Sequence, residues 1–149
     1  MTLSPINDTI YLGGIMDNKT YQKLALRTNG PDYLKTANRI SGGYVKECNS
    51  ASIDLLHASM GIVTEAGELQ DALKKHYFYG KELDKTNVKE EVGDLLWYCA
   101  IILESLDTDF ESVMQTNIDK LKARYPNKFT EESAVNRDLN KEREILENG

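Results

Sequence analysis

Residues 50–106 decide the fold, and they read SASIDLLHASMGIVTEAGELQDALKKHYFYGKELDKTNVKEEVGDLLWYCAIILESL. From about Ser50 to Tyr77, apolar residues recur at the spacing of one helix face: Leu55, Ile62, Leu69 and Leu73. After a linker that contains Gly80, a clearer stripe follows in alternating steps of four and three: Val88, Val92, Leu95, Cys99, Ile102 and Leu106. Thr86 precedes this stripe and can cap its helix. The stretch therefore predicts two long helices joined by a short connection.

Shorter elements are predicted on the N-terminal side of this pair. Residues 1–16 contain a proline and two glycines among scattered apolar residues, so we expect an irregular arm of the kind that often packs on a neighbouring subunit. Asp17 and Asn18 can cap a short helix that runs to about residue 27. A second, weaker helix is expected over residues 33–40.

Two further helices are predicted on the C-terminal side. Asp109 can cap a helix that Pro126 forces to end, because proline disfavours a helical conformation in the residue before it. Thr130 then begins a highly charged helix to about Glu147, and its few apolar residues indicate a solvated or subunit-bridging helix. The sequence shows no strand pattern. We therefore predict an all-α, four-helix-bundle-like fold in one domain, residues 1–149, whose two long helices pair antiparallel.

Composition limits the classes of partner. The chain has 149 residues, of which 40% are hydrophobic, and this fits one globular domain with a core. A formal net charge of -6 and a pI near 5.0 disfavour a nucleic acid polymer, because no block of Lys and Arg offsets the repulsion. A small anion can still bind where a cation reverses the local charge. Cys48 and Cys99 lack metal-ligand spacing, which indicates ordinary reduced cysteines.

The sequence shows no membrane or export segment. No apolar run reaches the roughly 18 residues that a membrane span requires. The N-terminus, MTLSPINDTIYLGG, lacks the basic start and the apolar core of a signal peptide. We therefore expect a cytoplasmic protein with no membrane partner.

Two pairs of acidic residues lie on the predicted long helices. Glu65 and Glu68 are three residues apart on the first helix. Glu91 and Asp94 are three apart on the second, and 22 residues separate the two pairs. At about 100° per residue, positions i and i+3 lie roughly 60° apart, so each pair presents two carboxylates side by side. Antiparallel pairing of the helices would bring all four together.

The neighbouring residues indicate which way these acids point. Glu91 and Asp94 border the apolar stripe of the second helix, whereas Glu90 is rotated away from it. Glu91 rather than Glu90 is therefore the ligand candidate. Glu65 lies beside apolar positions of the first helix. Small residues flank this acidic face and are expected to leave room for a ligand: Ala58, Gly61 and Ala72.

Four converging carboxylates predict a bound cation. They repel one another at low dielectric, and their hard oxygen atoms select Mg²⁺, with Mn²⁺ as a substitute. The opposing interpretation is that acids on amphipathic helices face solvent, which is usual for one ExxE alone, whereas two spaced pairs favour a site. A di-iron bundle would need two Glu-x-x-His pairs, and neither His57 nor His76 follows a Glu by three.

Three blocks of sequence carry a resemblance to a known family. They are HASMGIVTEAGELQDALKKHYFYG at residues 57–80, EEVGDLLWYCA at 90–100 and NIDKLKARYPNKF at 117–129. In this order they resemble the MazG-like, all-α nucleoside triphosphate pyrophosphohydrolases, in particular the single-domain members of phages and bacteria. The likeness covers about Tyr21 to Arg137.

The resemblance implies a reaction and a set of site residues. The reaction is hydrolysis of a nucleoside triphosphate to monophosphate and pyrophosphate, in which metal-activated water attacks the α-phosphorus. The implied metal ligands and catalytic residues are Glu65, Glu68, Glu91 and Asp94. On chemical grounds one carboxylate, for example Glu65, could also orient the water, and which one does so stays open. The expected substrate-binding residues are Asn117, Lys120, Arg124, Tyr98, Lys75 and His57.

Different observations support the six expected substrate-binding residues. Asn117, Lys120 and Arg124 fall on one helix face that is suited to binding the β and γ phosphates. Asn117 and Lys120 also match the family's phosphate-contacting positions. The alternative for Lys120 and Arg124 is that they lie on an ordinary solvated face near a helix C-terminus, where positive charge is favoured. Tyr98 matches the family's ExxDxxxY extension and could support the metal site or stack beside the base. Lys75 and His57 lie near the face of the first acid pair, with a surface or structural role as the alternative.

The resemblance also implies partners. Family members typically form dimers or tetramers that complete the active site, so we expect a homodimer or homotetramer. Phage-like members often act on deoxynucleotides, which makes a dNTP such as dGTP the expected substrate and the host cytoplasm the location for a phage protein. Two alternatives stay open: a dUTP, dCTP or alarmone hydrolase on the same scaffold, and a non-enzymatic, nucleotide-binding helical interaction protein.

Overall fold

The computed structural model describes residues 15–43 and 46–148. Within these ranges the chain forms seven α-helices and a 3₁₀ turn, with no strand, which confirms the all-α class. The predicted arm, residues 1–16, lies outside the described residues except for its last two positions. The helices are α1 (Asn18–Ala25), α2 (Tyr33–Ser41), α3 (Ser50–Tyr79), α4 (Lys85–Ser105), α5 (Phe110–Arg124), α6 (Glu131–Val135) and α7 (Leu139–Asn148), and the 3₁₀ turn spans Leu26–Thr28.

The helices α3 and α4 are the long pair that the sequence predicts. The α3 helix ends at Gly80, whose φ of 66° is a left-handed conformation that glycine adopts without steric cost. The α4 helix begins after Asp84, whose side chain accepts hydrogen bonds from the backbone N–H groups of Thr86 and Asn87. The predicted cap at Thr86 is therefore wrong, because the carboxylate two residues earlier binds the amides of the first turn.

Small residues bring α3 and α4 close together. Ala58 and Ala100 are completely buried, and the ring of Tyr98 lies on Gly61. Further along, Glu65 of α3 lies beside residues that precede Tyr98 in α4, so the two helices run antiparallel as predicted. The prediction that Ala58 and Gly61 leave room for a ligand is wrong, because Tyr98 covers Gly61 and Ala58 has no exposed surface.

The α1 helix and the 3₁₀ turn are held against the helix pair by hydrogen bonds. The indole N–H of Trp97 donates to the carbonyl oxygen of Ala25 at 3.0 Å and to Oγ1 of Thr28 at 2.8 Å. The buried Gln22 donates through Nε2 to the carbonyl oxygen of Thr108 at 3.0 Å. These bonds fix α1 across α4 and the beginning of α5.

Asp54 connects α3 to the segment that leads into α2. Its carboxylate is buried and accepts hydrogen bonds from Nδ2 of Asn29 at 3.1 Å and from the hydroxyl of Tyr33 at 3.0 Å. A buried carboxylate is costly unless its oxygens are bonded, so these two donors make the arrangement favourable. The start of α2 is thereby positioned on α3.

The C-terminal segment differs from the single helix predicted over residues 130–147. Thr130 does cap a helix, but α6 ends at Val135, and Asp138 then starts α7 by accepting a hydrogen bond from the backbone N–H of Lys141 at 3.0 Å. The break has a local cause, since an Asp side chain that binds a following amide competes with a continuous helix. Eight of the ten residues of α7 are exposed, as a solvated helix requires, whereas Glu142 is buried against α5.

Several apolar side chains remain exposed on the single chain. Met60 and Val63 of α3 are 63% and 71% exposed, and Val92 of the predicted α4 stripe is 46% exposed. The residues of α4 that are buried are instead Glu91, Ala100, Ile101 and Leu103. In the described residues, none of the helices has the length and apolar character that a membrane span requires.

Candidate active site

Three acids from the two long helices meet near the middle of the pair. Glu65 comes from α3, whereas Glu91 and Asp94 come from α4, and one carboxylate oxygen of each lies within 4.8 Å of the others. Glu91 is 3% exposed, Glu65 is partly buried, and Asp94 is exposed, so the cluster opens to solvent on one side. Glu90 is exposed and is not a member of this cluster, as its rotation away from the stripe predicts.

The charges of this cluster oppose one another. The pKa of Glu65 is raised, first by burial and then by the negative charges of Glu68 and Asp94 and by its hydrogen bond with Glu91. Bringing a divalent cation among these oxygens would remove the repulsion. The donor set consists of carboxylates alone, which is the chemistry that Mg²⁺ and Mn²⁺ prefer. The residues present therefore fit a hard divalent cation.

Glu68, the fourth predicted acid, lies on the wall of a neighbouring cavity. It is exposed, and the structure does not place it within the three-residue cluster. Glu68 and Glu91 both line a cavity of about 610 Å³ between the C-terminal half of α3 and the start of α4. Ala72 also lines this cavity, so the prediction of ligand space beside a small residue holds at this position. The cavity leads directly to the acids.

Asn87 is a cavity residue that sequence analysis did not single out. Its side-chain Nδ2 donates a hydrogen bond to Oε1 of Glu91 at 2.6 Å, one turn along α4. The sequence did contain a signal for this contact, because Asn87 and Glu91 are four residues apart and positions i and i+4 of a helix face each other. An Asn near a helix start has a common alternative explanation as a capping residue, which is the role that Asp84 takes here.

Comparison with known proteins identifies the family. The MazG nucleotide pyrophosphohydrolase domain matches residues 56–129, a range that contains both acid pairs. The Gene 37 protein of Mycobacterium phage L5 is 31% identical over 96 residues, which represent 61% of this chain and 82% of the phage protein. The chain belongs to the MazG family. MazG proteins are nucleoside triphosphate pyrophosphohydrolases that depend on a divalent metal. No solved structure matches the chain significantly.

Two lysines of this MazG protein line the same cavity as the acids. Lys75 lies on α3 and Lys81 in the loop that follows. Both line the cavity together with Asn87 and Glu91 of α4. Lys75 also forms an ion pair with Asp71, with 2.6 Å between Nζ and Oδ2. The cavity of the MazG domain thus combines carboxylates that suit a cation with ammonium groups that suit an anion.

An aromatic cluster lies one turn from the acids in the MazG domain. The ring of Tyr98 makes edge-to-face contacts with the rings of His57 and Trp97, at centroid distances of 5.6 Å and 4.9 Å. The hydroxyl of Tyr21 donates to the carbonyl oxygen of Gly93 at 3.4 Å, and the pKa of Tyr21 is raised by burial and by the charge of Asp94. Tyr98 and His57 were predicted from the sequence as substrate-binding residues. Tyr21 was not, because its position depends on how α1 packs.

The three predicted phosphate-binding residues of α5 do not line this cavity. The α5 helix packs against α1 and α7, Asn117 is exposed, and Lys120 is partly buried. The guanidinium of Arg124 binds both oxygens of Glu142 on α7, with 2.8 Å between Nε and Oε1. Within the described part of one MazG chain, these residues therefore stand apart from the acids, and their role in binding phosphate stays a prediction.

Proposed function

We propose that this MazG protein hydrolyses a deoxynucleoside triphosphate, with dGTP as the first substrate to test, to the monophosphate and pyrophosphate with Mg²⁺ as cofactor. The observation that carries the proposal is the convergence of Glu65, Glu91 and Asp94 across the helix pair at the edge of a cavity. The cavity volume of about 610 Å³ lies within the range of small-molecule sites.

The cation would be held by Glu65, Glu68, Glu91 and Asp94. Bound Mg²⁺ would neutralise phosphate oxygens and lower the pKa of water, and Mn²⁺ could replace it. Glu68 borders the cavity, and its negative charge raises the pKa of Glu65, which supports its inclusion in the set. In this proposal Glu65, which reaches the cluster from α3, also orients the attacking water.

The remaining cavity residues have roles that follow from their charge. Lys75 and Lys81 would attract the triphosphate and offset its charge, because an acidic protein needs local cations to bind an anion. Tyr98 lies one turn after Asp94 and contacts His57, which lies about two turns before Glu65, and such aromatic rings suit contact with the nucleoside. The triphosphate would therefore extend along the cavity from the acids toward the loop between α3 and α4.

We also propose that the protein works as a homodimer or homotetramer. The exposed Met60, Val63 and Val92 supply apolar surface on both long helices. Asn117 and Lys120 lie on α5, away from the cavity of their own chain, so assembly offers a way to bring a second copy's α5 to the phosphates. The relative from a mycobacteriophage supports the host cytoplasm as the location.

Pyrophosphate release from each common NTP and dNTP, with Mg²⁺ or with EDTA, tests the reaction and identifies the base. We expect Mg²⁺-dependent release from one or two deoxynucleotides, and none from the variant Glu91→Gln. Glu90→Gln is the matched control, because Glu90 is exposed and outside the cluster. Release from dUTP, dCTP or an alarmone alone would change the proposed substrate, whereas no release from any nucleotide would contradict the proposed reaction.

A further inference from the structure

A single hydrogen bond connects Asn87 to the most buried acid of the cluster. The donor is Nδ2 of Asn87, the acceptor is Oε1 of Glu91, and the distance is 2.6 Å. Glu91 is 3% exposed, so water has little access to its carboxylate. A buried carboxylate without donors is unfavourable, and this amide supplies one.

The start of α4 holds Asn87 in place. Asp84 accepts hydrogen bonds from the backbone N–H groups of Thr86 and Asn87, both at 3.0 Å, which orders the first turn of the helix. One turn later Glu91 faces the Asn87 side chain. Asn is a weaker helix former than Ala, so helix stability alone does not account for Asn87 in this turn.

The bond restricts the carboxylate in a way that matters for a cation. An amide nitrogen can only donate, so it binds Oε1 of Glu91 as an acceptor and leaves Oε2 outside this bond. The bond restrains the Glu91 carboxylate, one oxygen of which lies within 4.8 Å of an oxygen of Glu65 and an oxygen of Asp94. Residues that hold a ligand in this manner typically change metal affinity by 10- to 100-fold when they are replaced.

We propose that Asn87 is a positioning residue that fixes the Glu91 carboxylate for cation binding. This inference rests on the proposed metal site. Asn87 lines the cavity together with Glu68 and Glu91, so two other roles would also account for its location: direct contact with the nucleotide, or support of the helix. The three roles differ in whether they change cation affinity in the absence of nucleotide.

Mn²⁺ binding to the full-length, nucleotide-free protein separates these roles, with free Mn²⁺ measured by electron paramagnetic resonance. We expect Asn87→Ala to bind Mn²⁺ about 10-fold more weakly than wild type, with a lower melting temperature in the metal-free state, because Glu91 loses a hydrogen-bond donor. Asn87→Leu, which keeps the side-chain volume but lacks the donor, should show the same loss. Thr86→Ala is the control, because Thr86 is exposed on the same turn, and it should bind Mn²⁺ like wild type.

The outcomes that overturn the inference differ from those that overturn the proposed function. Wild-type Mn²⁺ affinity in both Asn87 variants would overturn the positioning role, and a raised KM alongside it would assign Asn87 to the nucleotide instead. A lowered melting temperature with unchanged Mn²⁺ affinity would assign it to the helix. Failure of the wild-type protein to bind Mn²⁺ would instead contradict the metal site itself.

Discussion

The ring of Tyr98 lies so close to the backbone of Gly61 that a Cβ atom on Gly61 would be 2.2 Å from Cε1 and Cζ of the ring. Gly61 stands four residues before Glu65, and Tyr98 stands four residues after Asp94. Each is therefore one helical turn from an acid of the cluster. The contact sets the separation of α3 and α4 next to the site, so its loss should affect both stability and the acids.

Gly61→Ala should destabilise the protein by about 1–3 kcal/mol, because the added methyl group overlaps the ring of Tyr98 and forces the helices apart. Urea unfolding monitored by circular dichroism measures this loss. Gly67→Ala is the matched control on the same helix, since no atom lies within 4 Å of its new Cβ. It should gain about 0.5–1 kcal/mol from helix propensity. Equal stability of Gly61→Ala and wild type would contradict the contact.

Mg²⁺ should stabilise the folded protein, because the cation binds the native cluster and not the unfolded chain. At 100 times its Kd the expected gain is about 2.7 kcal/mol, seen as a rise in melting temperature that EDTA reverses. Glu68→Ala should lose most of this rise while keeping its metal-free stability, since the change also relieves repulsion on Glu65. Glu90→Ala should retain the rise. A full Mg²⁺ response in Glu68→Ala would remove Glu68 from the ligand set.

Acid should weaken the attachment of α7 to α5. Hydrogen bonds from Arg124 and Arg137 lower the pKa of Glu142 from 4.5 to about 2. A group with a lowered pKa in the folded state contributes stability that is fully present above its pKa in the unfolded chain. This stability is lost as the pH falls through its pKa in the folded state. The free energy of unfolding should therefore decline from about pH 4.5 toward about pH 2.

The variant Glu142→Gln isolates this contribution, because it cannot ionise. It should be less stable than wild type at neutral pH, and urea unfolding at several pH values should show the gap closing as the pH approaches 2. Glu147→Gln is the control, since its ion pair with Arg143 is exposed. A stability gap that stays constant with pH would rule out the ionised Glu142 as its source.

Trp97→Phe should loosen the attachment of α1 and the 3₁₀ turn to α4. The substitution keeps an aromatic ring but removes the N–H that donates to Ala25 and Thr28. A loss of about 1 kcal/mol is expected for these bonds, together with faster hydrogen exchange in residues 18–28. Exchange in α7 should not change, because α7 packs against α5. Unchanged exchange in residues 18–28 would show that other contacts hold α1.

Much of the fold was predictable because it depends on local spacing. The two long helices, the break at Gly80 and the i, i+3 acid pairs follow from periodicity that a helix imposes on its own sequence. The same reasoning separated Glu91 from Glu90, since one residue along a helix rotates the side chain by about 100°. The sequence therefore predicted the elements that carry the acids.

Contacts between distant parts of the chain were not predictable from this spacing. The ring of Tyr98 on Gly61 removed ligand space that small residues had indicated, and the hydrogen bond from Tyr21 to Gly93 depends on the placement of α1. The bond between Arg124 and Glu142 was not predictable either, because Glu142 belongs to a helix that follows an unpredicted break at residues 136–138. Ion pairs from Glu142 to Arg124 and Arg137 help to attach this helix.

Hydrolysis in H₂¹⁸O, followed by mass spectrometry of both products, tests the proposed reaction most directly. The substrate would be the deoxynucleotide that gives the highest pyrophosphate release, with Glu91→Gln as the inactive comparison. Attack at the α-phosphorus predicts one ¹⁸O atom in the nucleoside monophosphate, none in pyrophosphate, and no turnover in Glu91→Gln or with EDTA. Label in pyrophosphate or in free phosphate, or full activity of Glu91→Gln, would contradict the assignment of the acid cluster to this reaction.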